Sequence, residues 1–290
     1  MVLDACRYDY FKKLYVSYLN GTLEKRISSA SSTTEWITKE FPNRYSDIVY
    51  VSANGFVTST YVKLVNYDGS KHFYQVVDAW KDGWNEELGT VPPENVTTIA
   101  LRALSQFKGK RFIIHYVQPH YPYIILRQLR IRERSRRNHK FSHFVWKAAL
   151  KVFGYPFGNT LTNLFGIDGT DEAAVAKRIG LEAFRIVYEK NLALVLESVA
   201  ELVEHLQGKV IVSADHGELL GEYGKFAHWP NLDYPELHEI PWFVVSDSHI
   251  RVSRPTTTIA RDTESKEKVP AHSQEDEELI QKRLEALGYV

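Results

Sequence analysis

Short apolar runs alternate along the chain with longer stretches of helical periodicity. The runs at 1–4 (MVLD), 47–52 (DIVYVS), 111–117 (RFIIHYV), 209–214 (KVIVSA) and 240–246 (IPWFVVS) read as buried strands. Helical patterns occupy 6–19, 34–41, 93–107 and 172–207. The last is the strongest: Ile186, Leu192, Val195, Leu196, Val199, Leu202, Val203 and Leu206 keep one apolar face, and Gly208 follows as the expected C-cap. Strands that are apolar throughout must be covered on both sides. The pattern therefore predicts an α/β fold, a mostly parallel sheet flanked by helices on both faces.

Two regions depart from this rhythm. Segment 127–151 carries nine Lys/Arg against one acid, Glu133, with Phe141, Phe144 and Trp146 interleaved. It reads as the start of a basic insertion over about 127–170 that follows the 111–117 strand. Residues 251–273 are polar and rich in Thr, Arg, Glu and Pro, as a linker would be, and a charged helix or tail closes the chain at 274–290. The expected organisation is one catalytic-size domain over 1–250, the linker, and the tail.

Composition narrows the function classes. With 290 residues and 44% hydrophobic content, a sizeable core can form. Thirty-six basic and 36 acidic residues cancel, so no global field favours a nucleic-acid partner. The basic segment has two readings, a solvated lid or a collar that meets a membrane surface or another polyanion. The single cysteine, Cys6, excludes a disulfide framework and a cysteine-built metal site. No apolar stretch of about 18 residues is present, and the first residues lack a basic and apolar leader. These features lead to the expectation of a cytoplasmic, membrane-peripheral protein.

Candidate chemistry gathers where a parallel sheet places its ligands, at the carboxyl ends of the strands. The first strand ends at Asp4, the 111–117 strand leads to His120, and the 209–214 strand runs into Asp215-His216-Gly217-Glu218. Carboxylate oxygen and imidazole nitrogen suit Zn²⁺ or Mn²⁺. His228 and His238 follow in a polar loop; a lone loop histidine is more often a packing or capping group than a ligand. At 28–36, SSASSTTEW brings a run of hydroxyls to the start of a helical pattern, where Thr33 or Thr34 would serve as an N-cap or as a nucleophile facing backbone N–H donors.

The ordered set VLDACRYDYF, SxT before a helix, VQPHYPY, YEKNL, SADHGELLGEYG with a downstream histidine, and HEIPWFVV resembles the alkaline phosphatase superfamily, specifically its sulfatase-like hydrolases and transferases. The match runs in order through residues 1–245, and RLEALGYV resembles the tail of many such chains. The resemblance implies metal ligation by Asp4, Asp215, His216 and the Thr33 oxygen, with Thr33 as nucleophile and Ser31, Ser32 and Thr34 as neighbouring candidates. It implies roles for His120 and His228 in catalysis and in binding the transferred group, and for Arg7 and His238 in substrate binding. One divalent ion (Mn, Zn, Mg or Ca) is implied, and a second is allowed.

One departure shifts the expected reaction. Classical sulfatases carry C/S-x-P-S-R, whereas this chain reads Thr33-Thr34-Glu35-Trp36. That points toward phosphate-ester hydrolysis or transfer through a threonine and a phospho-enzyme. The competing readings are a true sulfatase-type hydrolase and a non-catalytic, anion-binding member of the same fold. The substrate expected is an anionic phosphate or sulfate ester.

Overall fold

The computed structural model describes residues 1–63, 65–128 and 171–246. The basic segment beyond residue 128, the 251–273 linker and the 274–290 tail lie outside the described residues. Seven strands form the main sheet: β1 (Val2–Leu3), β2 (Gly21–Ile27), β3 (Tyr45–Ser52), β4 (Phe73–Val77), β5 (Arg111–Tyr116), β6 (Ile211–Ala214) and β7 (Glu239–Val245). Their order is β2-β7-β6-β1-β5-β3-β4. All pairings from β6 to β4 are parallel; β7 runs antiparallel to both β6 and β2. The fold is the expected α/β architecture with a mostly parallel sheet.

The five apolar runs become β1, β3, β5, β6 and β7. The two strands without such a run, β2 and β4, are the sheet edges. An edge strand has one neighbour and needs less apolar surface. In β2, Thr22, Glu24, Lys25, Arg26 and Ile27 are exposed, and the charges discourage further pairing.

The described helices include α1 (Tyr8–Leu14), α2 (Thr33–Glu40), α3 (Pro93–Gln106), α4 (Asp171–Ile179) and α5 (Leu181–Val203). The pattern at 172–207 is thus two helices rather than one. Gly180 adopts φ +88°, a conformation that L side chains rarely take, and interrupts the helical hydrogen bonding there. The second helix also ends earlier than expected, at Val203, and Gly208 (φ +84°) turns the chain into β6 rather than capping it directly.

Successive strand residues face opposite sides of the sheet. Leu3, Val49, Val51, Ile114, Val212 and Phe243 pack with Phe11 of α1, Val96 and Ala100 of α3, and Leu192, Leu196 and Val199 of α5. Val2, Ile48, Tyr50, Phe73 and Val76 pack on the other face with Trp36 and Ile37 of α2. Each fully buried aliphatic or aromatic side chain of this kind contributes roughly 1.5–3 kcal/mol. Both faces of the sheet are covered.

Candidate active site

Strand register sets the first group of residues. Leu3 of β1 lies beside Ala214 of β6, so the next residues, Asp4 and Asp215, leave the sheet side by side. Ala5 then turns with φ +57°, uncommon for a residue with a Cβ, and its N–H donates to Asp215 Oδ1 at 3.2 Å. The His216 N–H donates to the same oxygen at 3.0 Å.

Helix α2 supplies the hydroxyl. Ser32 is its N-cap, accepting from the Glu35 N–H, and Thr33 is the first helical residue. Thr33 Oγ1 donates to Asp215 Oδ2 at 2.6 Å and lies 3.2 Å from His216 Nε2 and 3.5 Å from Asp4 Oδ1. The other hydroxyls of 31–34 point elsewhere. Ser31 Oγ donates to the Trp229 carbonyl (2.7 Å), and Thr34 pairs with Ser32 (3.0 Å). Asp4, Thr33, Asp215 and His216 are all buried.

A second group sits alongside. Leu219–Leu220 and Phe226–Ala227 form a small antiparallel hairpin in which Ala227 pairs with Leu219. The residues just outside its base, Glu218 and His228, therefore face each other, with His228 Nδ1 3.1 Å from Glu218 Oε1. His120 joins them, its ring centroid 5.0 Å from that of His228, and the His228 ring is 4.1 Å from that of His216. The His120 Nδ1–H donates to the Tyr121 carbonyl, which leaves the lone pair on Nε2.

Electrostatics follow from burial and neighbours. Burial alone would pull His216 down, but the Asp215 and Asp4 carboxylates outweigh it and hold the imidazole up at about 9. Burial would raise Asp215, yet His216, His115 and the Thr33 hydrogen bond bring it below the usual carboxylate range. Burial lowers His120 to about 3 and depresses His228 strongly, while it raises Glu218 to about 7. The second group therefore offers two neutral imidazoles and a desolvated carboxyl whose Oε2 has no hydrogen-bond partner among the described residues.

Both groups fit a divalent cation. Ligand atoms of Asp4, Asp215 and His216 lie within 4.8 Å of one another, as do those of His120, Glu218 and His228. Oxygen and imidazole donors of this kind suit zinc or manganese. The Gly217 carbonyl accepts from His216 Nδ1 at 2.8 Å, which directs Nε2 into the first cluster. The unpartnered Glu218 oxygen is the kind of buried atom that a cation would satisfy.

The structure does not bring Arg7 or His238 into either group. The Arg7 guanidinium is taken up by Asp9 (3.0 and 2.7 Å), by Glu222 (2.8 Å) and by the Glu218 carbonyl (3.3 Å). The His238 ring nitrogens face the carbonyls of Ser28 (3.0 Å) and Leu232 (2.9 Å), a loop-holding role.

Three residues at the site escaped the sequence reading. Asn54 donates to Asp4 Oδ2 (2.7 Å) and sits 3.5 Å from Thr33 Oγ1. Its position just after β3 was a usable signal, since that strand also ends at the ligand-binding edge. Glu218 lay in view within DHGE without a role assigned to it. His115 sits inside an apolar run, where nothing marks it, and its Nε2 lies 3.9 Å from Asp215.

No protein-family model and no curated protein matches the chain. The solved structures do offer matches. The C-terminal periplasmic domain of the phosphoethanolamine transferase EptC from Campylobacter jejuni superposes with TM-score 0.51 at 16% identity, covering 85% of this chain and 78% of that one. The soluble domain of lipooligosaccharide phosphoethanolamine transferase A from Neisseria meningitidis gives TM-score 0.49 at 14% identity, with 83% and 74% covered. The likeness to the first establishes the alkaline-phosphatase-like fold. It also corrects the cytoplasmic expectation, because the neighbour sharing this fold is a periplasmic domain. A single buried cysteine is compatible with an oxidising compartment, so Cys6 had no power to decide the matter. Among the described residues, no helix is long and apolar enough to cross a membrane.

Proposed function

We propose that this chain, whose fold is that of the alkaline phosphatase superfamily, transfers a phosphoryl-type group from a phosphate ester through a covalent intermediate on Thr33. The observation that carries the reading is the position of Thr33 Oγ1. It lies at a helix N-terminus, buried, within 3.5 Å of Asp4, Asp215 and His216 together. A threonine needed only to cap a helix has no reason to meet two carboxylates and an imidazole.

The residues divide the work as follows. Asp215 accepts the Thr33 O–H, which fixes the hydroxyl's orientation and turns an oxygen lone pair away from Asp215. A divalent ion held by Asp4, Thr33, Asp215 and His216 would acidify that hydroxyl and offset charge on the phosphoryl oxygens. Thr33 Oγ1 attacks phosphorus in line. The Oγ1–P bond forms, the P–O bond to the departing alcohol breaks, and that alcohol leaves with a proton. An acceptor alcohol or water then attacks phosphorus and restores the Thr33 hydroxyl. The neutral His120 and His228, together with Glu218, suit binding of the transferred group through a second ion that their ring nitrogens and its carboxylate would hold. Asn54, turned by the Phe56 N–H onto its Oδ1 (2.9 Å), presents its amide hydrogens to Asp4 and the Thr33 oxygen. Positioning and charge stabilisation supply most of the acceleration in phosphoryl transfer.

The EptC neighbour, the periplasmic domain of a phosphoethanolamine transferase, supports a phosphate-ester transferase acting outside the cytoplasm. The test is intact-protein mass spectrometry after incubation with phosphatidylethanolamine vesicles and Zn²⁺ or Mn²⁺. A phosphoethanolamine adduct on Thr33, absent from Thr33→Ala, is the expected result. Turnover of phosphate esters without any Thr33 adduct, and undiminished in Thr33→Ala, would remove the reading.

A further inference from the structure

The two groups of ligand-type residues are supported very differently. Asp4, Asp215 and His216 leave the ends of central strands, locked by the sheet register. Glu218 and His228 instead hang from the base of a hairpin whose two strands are two residues each. So short a ladder cannot by itself fix two side chains to the tolerance a metal site needs.

Arg7 spans that hairpin. Its Nη1 donates at the base to the Glu218 carbonyl (3.3 Å) and toward the tip to Glu222 Oε1 (2.8 Å). The other Glu222 oxygen accepts from the Leu220 N–H at 2.6 Å. Arg185 of α5 reaches the same corner, donating to the Leu220 carbonyl (3.1 Å) and lying 3.4 Å from Glu222 Oε1. Arg7 is itself anchored by a two-point pair with Asp9 and, through its backbone N–H, by the Tyr188 hydroxyl at 3.1 Å. A buried guanidinium with this fork of partners is a rigid strut. Glu222 touches no residue of the Asp4–Asp215–His216 cluster through any of these bonds.

We propose that Arg7 and Glu222 are positioning residues that clamp the hairpin and thereby set the affinity of the His120–Glu218–His228 cluster for a divalent ion, separately from the Asp4–Asp215–His216 cluster. The inference rests on the metal-dependent reading of the site. Outer partners of metal ligands typically change affinity by about 10–100-fold when removed.

The test is calorimetric titration of the metal-stripped full chain with Zn²⁺ alone. Wild type takes up two ions per chain, and His228→Ala loses one of them, which identifies the second step. Glu222→Gln and Arg7→Met weaken that same step by about 10–100-fold and leave the other unchanged. Thermal unfolding reports whether each variant folds. If Arg7→Met does not, Glu222→Gln decides, since it keeps the side chain's size and lies outside the first cluster. The proposal is overturned if both steps weaken equally, if neither changes, or if wild type binds one ion only. A wild type that binds no zinc removes the metal reading of the proposed function, whereas unchanged binding by the clamp variants removes the clamp alone.

Discussion

The Thr33 hydroxyl donates to Asp215 Oδ2 at 2.6 Å, joining the first residue of α2 to the residue that follows β6 across 182 positions of sequence. The bond ties the candidate nucleophile to a carboxylate held low by its own neighbours. Two consequences separate on substitution. Thr33→Ala removes the attacking oxygen, and turnover of a nitrophenyl phosphodiester should fall by roughly a thousandfold or more. It also leaves Asp215 Oδ2 short of a donor, a loss of about 1–3 kcal/mol for a buried acceptor. Thr33→Ser keeps the oxygen and should retain measurable turnover. Equal initial rates in wild type and Thr33→Ala would exclude the assignment.

Gly217 is required by contact rather than by chain flexibility. A Cβ there would come within 2.0 Å of the Glu236 carbonyl oxygen, in a backbone already joined by the Gly217 N–H to the Leu237 carbonyl at 2.7 Å. Backbone cannot step aside as a side chain can. Gly217→Ala should cost about 1–3 kcal/mol or more and shift His216 and Glu218 together. Thermal denaturation and Zn²⁺ stoichiometry, measured side by side, check both effects. An unchanged melting temperature would contradict the contact.

The fold was legible where burial imposed a pattern and hidden where it did not. Central strands such as Val49–Val51 are covered on both faces, so their apolar runs are unbroken. The edge strand Gly21–Ile27 is largely exposed, so its sequence, GTLEKRI, shows none of that constraint. Ligand-type residues were readable when they ended a strand, as Asp4 and Asp215 do. Arg7 illustrates the limit. Its type and its place after Asp4 suit anion binding, and only the three-dimensional arrival of Glu222, 215 positions away, shows its charge already engaged. Asn54 was missed for a related reason, since an amide carries no titration or metal-ligand signature in a sequence.

Glu35 gives a pH dependence of defined sign. Burial would raise its carboxyl, but the N–H groups of Asn231 and Ser31 together with Lys39 outweigh burial and bring it below its ordinary value of 4.5. A depressed folded-state value means that the folded protein holds the proton less tightly than the unfolded chain does. The stabilisation is therefore complete above about pH 4.5 and is lost as pH falls through the folded value. Glu35→Gln should lower the urea midpoint near neutral pH, and the gap from wild type should shrink as the solution is taken below about pH 4. A gap that widened on acidification would show that the sign is wrong.

Asn191 connects the long helix to the loop that carries His120. It is fully buried on α5. Its Nδ2 donates to the carbonyls of Pro119 and His120, both at 3.1 Å, and its Oδ1 accepts from the Ile124 N–H at 3.1 Å. One side chain thus satisfies three backbone groups of the loop that follows β5. Asn191→Leu keeps the number and branching of side-chain heavy atoms and strips all three bonds, so stability should fall by about 3 kcal/mol or more, from about 1–3 kcal/mol for each stranded group. Asn191→Asp keeps the Ile124 bond but turns a carboxylate oxygen toward two carbonyls, and it should be destabilised as well, most strongly when that carboxylate is ionised. Because the loop carries His120, either change should lower turnover in the fraction that remains folded, beyond what unfolding removes. Denaturation midpoints together with rates corrected for the folded fraction separate the two effects. A stable Asn191→Leu protein with wild-type turnover would show that the loop holds His120 without help from the helix.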